Sequence, residues 1–200
     1  MADLPVTSDQ GALPTVITDA VTTANTLAIE SDGSINTGDV LALDVENSKG
    51  FGVISEVLPI AATETAVFLI KNPTGSGKKF KITNLILGIS PSVGSATGNN
   101  SIFRLYLDPT ITTNGTALTI NNLYSQTSPP ASVMAAFSSP TIAVNGAKLA
   151  SYSVDSQSGG FLLPQSGTRL LDPNHNYLIT QQGIVNGAST GLILLEWIEE

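Results

Sequence analysis

Cysteine is absent and histidine occurs once, at His175. No disulfide can staple this chain, and no thiolate can hold a metal. Charge is scarce: Asp, Glu, Lys and Arg make up 12% of the 200 residues, about half the usual share. Lys and Arg form no basic stripe, so a nucleic-acid partner is not expected. The opening MADLPVTSDQ lacks a basic region followed by an apolar core, so no signal peptide is expected there. The longest apolar runs are too short to cross a bilayer, and a membrane partner is not expected. Serine hydrolysis needs a base beside the nucleophile. One histidine and no Gly-x-Ser-x-Gly leave that chemistry without its parts.

Apolar residues are plentiful instead. They make up 42% of the chain, and the mean hydropathy is +0.21. A sizeable core is available. A surface so poor in charge needs cover, either from other chains or from a skin of Ser, Thr and Asn. The charge that exists is unevenly placed. Residues 1–64 hold ten of the sixteen acids and one base, Lys49, for −9. Residues 65–200 hold six acids and seven bases, for +1. Of eleven aromatics only Phe51 precedes residue 65.

These shifts divide the chain into an acidic segment, 1–60, and a head, 61–200. Pro5 and Pro14 oppose helix, so residues 1–35 read as an extended arm. Val40–Val45 and Gly52–Leu58 alternate and read as a small hairpin ended by Pro59. From residue 61, short β runs recur every ten to fifteen residues with turn clusters between them. Val67–Ile70, a turn over Asn72–Gly77 and Phe80–Ile89 read as strand, turn, strand. From Leu85 the apolar residues either occupy both faces or shift parity through a bulge, which places this strand centrally. Further strands are expected over Ser101–Leu107, Thr116–Leu123, Ser132–Phe137, Ala147–Val154, Gly160–Leu163, Thr168–Leu171, Tyr177–Gln182 and Thr190–Ile198. Asn186-Gly187 makes a hairpin of the last two. The fold class is all-β: an antiparallel β-sandwich, jelly-roll-like, with an extended N-terminal arm.

One phrase repeats. Pro109-Thr-Ile-Thr-Thr-Asn114-Gly115 returns 31 residues later as Pro140-Thr-Ile-Ala-Val-Asn145-Gly146. It is read as two hairpins that solve one turn problem alike, since two copies are too few for a solenoid.

Candidate chemistry is thin. Asn72-Pro-Thr-Gly-Ser-Gly-Lys78-Lys79 imitates a phosphate loop. It lacks the first Gly and the Ser or Thr after Lys, and it joins strand to strand rather than strand to helix. Asp172 and His175 are too few for zinc or calcium. A glycosidase pair would have to come from Glu64, Asp108, Asp155, Asp172, Glu196, Glu199 and Glu200. Asp108 and Asp172 precede proline, and Glu199 and Glu200 read as a frayed end. No catalytic site, cofactor or metal is expected, and the chain does not read as an enzyme. Along Leu192–Ile198, Ile193, Leu195 and Trp197 share one face, and Leu192, Leu194 and Ile198 share the other. Trp197 fits a core strand or a strand against another subunit equally well.

Three segments carry a resemblance: FLIKNPTGSGKKFK (68–81), RLYLDPTITTNGTALT (104–119) and SPTIAVNGAKL (139–149). Together they resemble virion proteins of tailed bacteriophages, which carry a short N-terminal attachment segment and a trimeric β-sandwich head. The resemblance implies a homotrimer, and the two-sided pattern of the last strand offers Leu192, Leu194, Trp197 and Ile198 as its subunit interface. It implies a virion protein, assembled in the host cytoplasm, of capsid decoration (cement) or head-fibre type. Leu4, Val6, Leu13, Val16, Ile17, Val21 and Leu27 would then anchor the arm on the major capsid protein or another virion protein. The alternative is a tail-tip or tail-fibre adhesin for a host surface glycan, with Tyr124 and Tyr152 as stacking candidates.

Overall fold

The computed structural model of the protein describes residues 49–59, 61–91, 100–124, 130–155, 161–164, 169–184 and 189–200. In chain order the strands are β1 (Gly50–Pro59), β2 (Thr65–Lys71), β3 (Phe80–Pro91), β4 (Asn100–Leu107), β5 (Thr110–Thr113), β6 (Thr116–Ala117) and β7 (Asn121–Asn122). They continue as β8 (Ala135–Ser138), β9 (Thr141–Val144), β10 (Ala147–Asp155), β11 (Phe161–Pro164), β12 (Leu170–Leu171), β13 (Asn176–Gly183) and β14 (Ser189–Glu199). No helix occurs among the described residues.

Two antiparallel sheets carry the fold. The first runs β11-β3-β14-β1-β7, with β12 also on β3; the second runs β10-β4-β13-β2-β8-β6. Eight of the strands give the order β1-β14-β3-β11 over β2-β13-β4-β10, which is the jelly roll. The segment between β4 and β10 is an insertion. It lays β7 on β1 and β8 on β2, so both sheets gain cover at the same side. Exposed edge strands invite pairing with other chains, and this insertion blunts two of them.

Among the described residues no strand pairs with its neighbour in sequence. This corrects the hairpins expected at Asn72–Gly77, at the two Asn-Gly repeats and between the last two strands. β2 lies in the second sheet and β3 in the first, so the Asn72–Gly77 turn crosses between layers. β13 and β14 likewise belong to different sheets. β1 pairs with β14 along Gly50↔Ile198 to Pro59↔Thr190. Residues 50–59 are therefore a sandwich strand, so the sandwich includes residues before 61. Val40–Val45 lies outside the described residues. Turn residues fix where a chain reverses, but not which sheet receives it.

The core lies between the layers. In β3, Phe80 and Ile82 face it, then Leu85, Leu87 and Ile89. The change of parity is absorbed at Thr83, where the register slips against Glu196 and Trp197. Trp197 stacks on Phe51 at 6.1 Å and meets Phe80 at 5.4 Å, and Phe80 meets Tyr177 at 6.2 Å.

The 31-residue echo is a true internal symmetry. β5 pairs with β9, not with β6. β6 pairs with β8 through Thr116↔Ser138, and β10 pairs with β4 through Ala147↔Leu107, the same pairing moved by 31 residues. β2 and β13 extend the symmetry, because Leu69 faces Phe137 while Leu178 faces Tyr106, and Leu69 faces Leu178. A pseudo-twofold axis thus passes between β2 and β13 and between Ile111 and Ile142 of the ribbon. Leu69 and Leu178 sit on the outer face, away from the main core, yet neither is exposed. Asn-Gly does not close a hairpin in either copy. Gly115 and Gly146 have φ of +88° and +86°, and each packs against the residues before the other copy's proline.

Candidate functional site

Two outer sheet faces are available, and they differ in chemistry. On the first sheet, Ile54, Leu194 and Ile86 form one cross-strand row. Leu192 packs over Gly88, and Leu123 packs over Gly52. Ile54 and Leu123 are each 40% exposed, and Ile86, Leu192 and Leu194 are half-buried. The row ends at Glu196, whose carboxylate accepts a bond from Asn84 Nδ2 at 3.1 Å.

The expected interface residues divide here. Leu192 and Leu194 lie on this face. Trp197 is 0% exposed and Ile198 1% exposed within the single chain, so neither offers surface to a second subunit. Trp197 is a core residue because β14 turns it toward Phe51 and Phe80. Leu4, Val6, Leu13, Val16, Ile17, Val21 and Leu27 lie outside the described residues.

The second sheet presents a polar outer face built around Glu64, next to β2. Glu64 Oε1 accepts bonds from Thr180 Oγ1 at 2.6 Å, Tyr106 Oη at 2.8 Å and Asn145 Nδ2 at 3.3 Å. Oε2 lies 3.2 Å from Arg104 Nη1, and Arg104 Nη2 donates to Gln182 Oε1 at 2.9 Å. Burial alone would raise the pKa of Glu64. The bonds from Thr180 and Tyr106 and the charges of Arg104 and Lys148 outweigh it, and hold the carboxyl below its ordinary value. Burial, and then the bond to Glu64, push the Tyr106 hydroxyl up. These residues come from the stretch before β2, from β4, from β13 and from the second Asn-Gly. Sequence spacing could not group them; Glu64 was noticed only among the carboxylates and Asn145 only as part of the repeat.

The other chemical candidates resolve into structural roles. Asn72 is buried and organises the imitation phosphate loop. Its Nδ2 donates to the carbonyls of Lys78 at 2.8 Å and Leu171 at 2.9 Å, and its Oδ1 accepts from Ser76 at 2.6 Å. Asp172 pairs with Lys79 at 3.6 Å, whereas His175 Nδ1 lies 2.7 Å from Asp108 Oδ2. The two residues considered for a metal thus serve different partners. Glu199 corrects the frayed-end expectation. It is 4% exposed and accepts from the Ser132 hydroxyl, from Val133 N at 3.2 Å and from Trp197 Nε1 at 3.2 Å. It locks the approach to β8 onto the end of β14.

Beside the loop opens a cavity of about 410 Å³, lined among others by Lys71, Asn72, Thr74, Asn114, Phe137 and Asn174. Its floor is the symmetry mate of the Glu64 socket. No protein-family model matches this chain, and no curated protein matches it.

Proposed function

We propose that this protein is a structural component of a tailed-bacteriophage particle: a capsid decoration or head-fibre protein, built as a homotrimer and without catalysis of its own. The observation that carries the reading is the apolar outer face of the first sheet, with Ile54, Ile86, Leu192 and Leu194 in one patch. Such a face on a domain with equal numbers of acids and bases after residue 48 needs a partner surface. A second copy supplies the same apolar chemistry. The jelly roll recurs in viral capsid and lectin domains, which supports the reading by analogy of fold. Residues 1–60 contain the attachment arm, which engages the major capsid protein or another virion protein, so the protein resides in the virion. The adhesin reading has less support, because Tyr124 is exposed but Tyr152 is half-buried with its hydroxyl bonded by Arg169 at 3.0 Å.

Copy number in purified particles tests the reading. A count comparable with that of the major capsid protein supports decoration. A handful per particle favours the tail adhesin, and absence from particles removes both.

A further inference from the structure

The pseudo-twofold axis relates two pockets that the sequence has filled differently. Register fixes the equivalences: Arg104 faces Thr180 where Ala135 faces Lys71, and Tyr106 faces Leu178 where Phe137 faces Leu69. The backbone keeps the symmetry closely. Asp108 N donates to Asn176 O at 2.9 Å, and its mate Ser139 N donates to Val67 O at 3.0 Å. Asp108 and Ser139 hold φ of +52° and +50°. In the first pocket the carboxylate of Glu64 sits among Arg104, Tyr106, Thr180 and Asn145. In the second, Lys71 replaces Thr180, Ala135 replaces Arg104 and Phe137 replaces Tyr106. The polar ends of Arg104 and Tyr106 have no counterpart there, and the cleft of about 410 Å³ stands open. Asn114, the mate of Asn145, accepts from Lys71 Nζ through Oδ1 at 3.3 Å. The amide that meets a carboxylate in one pocket meets an ammonium in the other. Lys71 makes no ion pair among the described residues.

We propose that this second pocket is a binding site for a carboxylated sugar of the hexuronate class. Charge selects the carboxylate. Lys71 supplies a cation, and no Asp or Glu lines the cleft among the described residues. The first pocket is the template, because the same backbone frame there surrounds a carboxylate with donors. A phosphate monoester carries about −1.5 to −2 at neutral pH, so a single cation matches a carboxylate better. The rest of the lining selects the ring. Asn114, Asn174 and Thr74 carry groups that both donate and accept, as sugar hydroxyls do. Phe137 offers an apolar side where Tyr106 offers a hydroxyl, and the C–H face of a sugar ring can lie on it. The walls are also held in place before any ligand arrives. Asn174, at φ +70°, donates from N to Asn72 O at 2.9 Å and accepts from Thr74 Oγ1 at 2.7 Å. The buried Asn72 commits its amide to Lys78, Leu171 and Ser76, and so braces the wall from behind. Such bracing lowers the ordering cost of binding. The volume lies within the range of small-molecule clefts, roughly 300–1,000 Å³. The proposal rests on this pocket alone and holds wherever in a particle the protein sits.

Competitive acylation of lysines in the full chain, read by peptide mass spectrometry, tests the assignment. Glucuronate at millimolar concentration should slow modification of Lys71 several-fold and leave the exposed Lys78 unchanged. Glucose should protect neither. Calorimetry with glucuronate should show one site per chain. Binding should weaken about tenfold or more in Lys71→Met, as fits the loss of a hydrogen bond to a charged group. Asn114→Asp keeps the size of the side chain and sets a carboxylate of the protein's own beside Lys71. It should also remove binding while circular dichroism stays that of the parent, so the site is tested even where Lys71→Met fails to fold. Acylation of Lys71 that glucuronate leaves unchanged overturns the proposal. Equal protection by glucose also overturns it, because the carboxylate would then go unread. Stronger protection by N-acetylglutamate or by inorganic phosphate would give the pocket to an acidic peptide or to anions at large, and overturns it too.

Discussion

A methyl group on Gly115 would lie 2.1 Å from the Ser138 carbonyl oxygen, and one on Gly146 would lie 2.2 Å from that of Leu107. Both contacts are with backbone, which cannot swing aside as a side chain can. Both residues also hold positive φ, which costs an L-residue about 1–2 kcal/mol. Either change to alanine is expected to cost more than about 3 kcal/mol in urea unfolding. Gly75→Ala carries the same φ problem with open space around it, so only about 1 kcal/mol should be lost there. Equal losses at Gly75 and Gly115 would refute the close-approach argument. Glu64 makes a prediction in pH. Its folded pKa is lowered, so the unfolded state binds the proton more readily, and its contribution is present above the ordinary carboxylate pKa. That contribution is lost as pH falls below about 4.5 and through the lowered folded value. Glu64→Gln should therefore be less stable than the parent near neutrality, with the gap closing toward pH 3. A gap independent of pH would show that the carboxylate is not the stabilising species.

The end of β14 is held as an element rather than as a tail. Glu199→Ala strips the acceptor from the Trp197 indole N–H, the Val133 N–H and the Ser132 hydroxyl. Each buried donor left unpaired costs about 1–3 kcal/mol, so a loss of about 3 kcal/mol and a shift in tryptophan emission are expected. Unchanged emission would mean that the carboxylate does not hold the indole. The elements themselves were largely legible. Alternation located β3, including its parity change, because Phe80, Ile82, Leu85 and Leu87 all have to reach one core. Trp197 was ambiguous because β14 is apolar on both faces, and only the cluster with Phe51, Phe80 and Tyr177 decides its side. Pairing was not legible. Asn-Gly at 114 and 145 invited two hairpins, yet the glycines are needed for contact with the opposite copy, 31 residues away. The Glu64 socket escaped notice for the same reason, since its members converge only after four segments meet. Asp108 and Asn174 hold φ of +52° and +70° in the turns beside this socket and its mate, and no local pattern announced that either.

At the scale of the molecule, the outer face of the first sheet is the predicted subunit contact. Leu192→Asp with Leu194→Asp leaves the core untouched, because both side chains point away from it. The double variant should retain the β-sheet circular dichroism of the parent while light scattering drops from three chains to one. A parent that is already monomeric would remove the trimer. Deleting residues 1–35 should leave the assembly folded and abolish its incorporation into particles that lack the protein. Normal incorporation would make the head the anchor instead. The position of β14 has a further consequence, for synthesis. It comes last in chain order among the described strands, yet it lies between β1 and β3. Gly50 waits for Ile198, and Phe80 for Glu199. Until residues 189–199 are made, β1 and β3 remain without their central partner, and the first sheet cannot close. Long-range pairing of this kind slows folding and leaves strand edges open to other nascent chains. Ribosome-bound intermediates stalled before Ser189 should be protease-sensitive throughout β1 and β3, and protection should arrive in one step once Glu199 has left the ribosome.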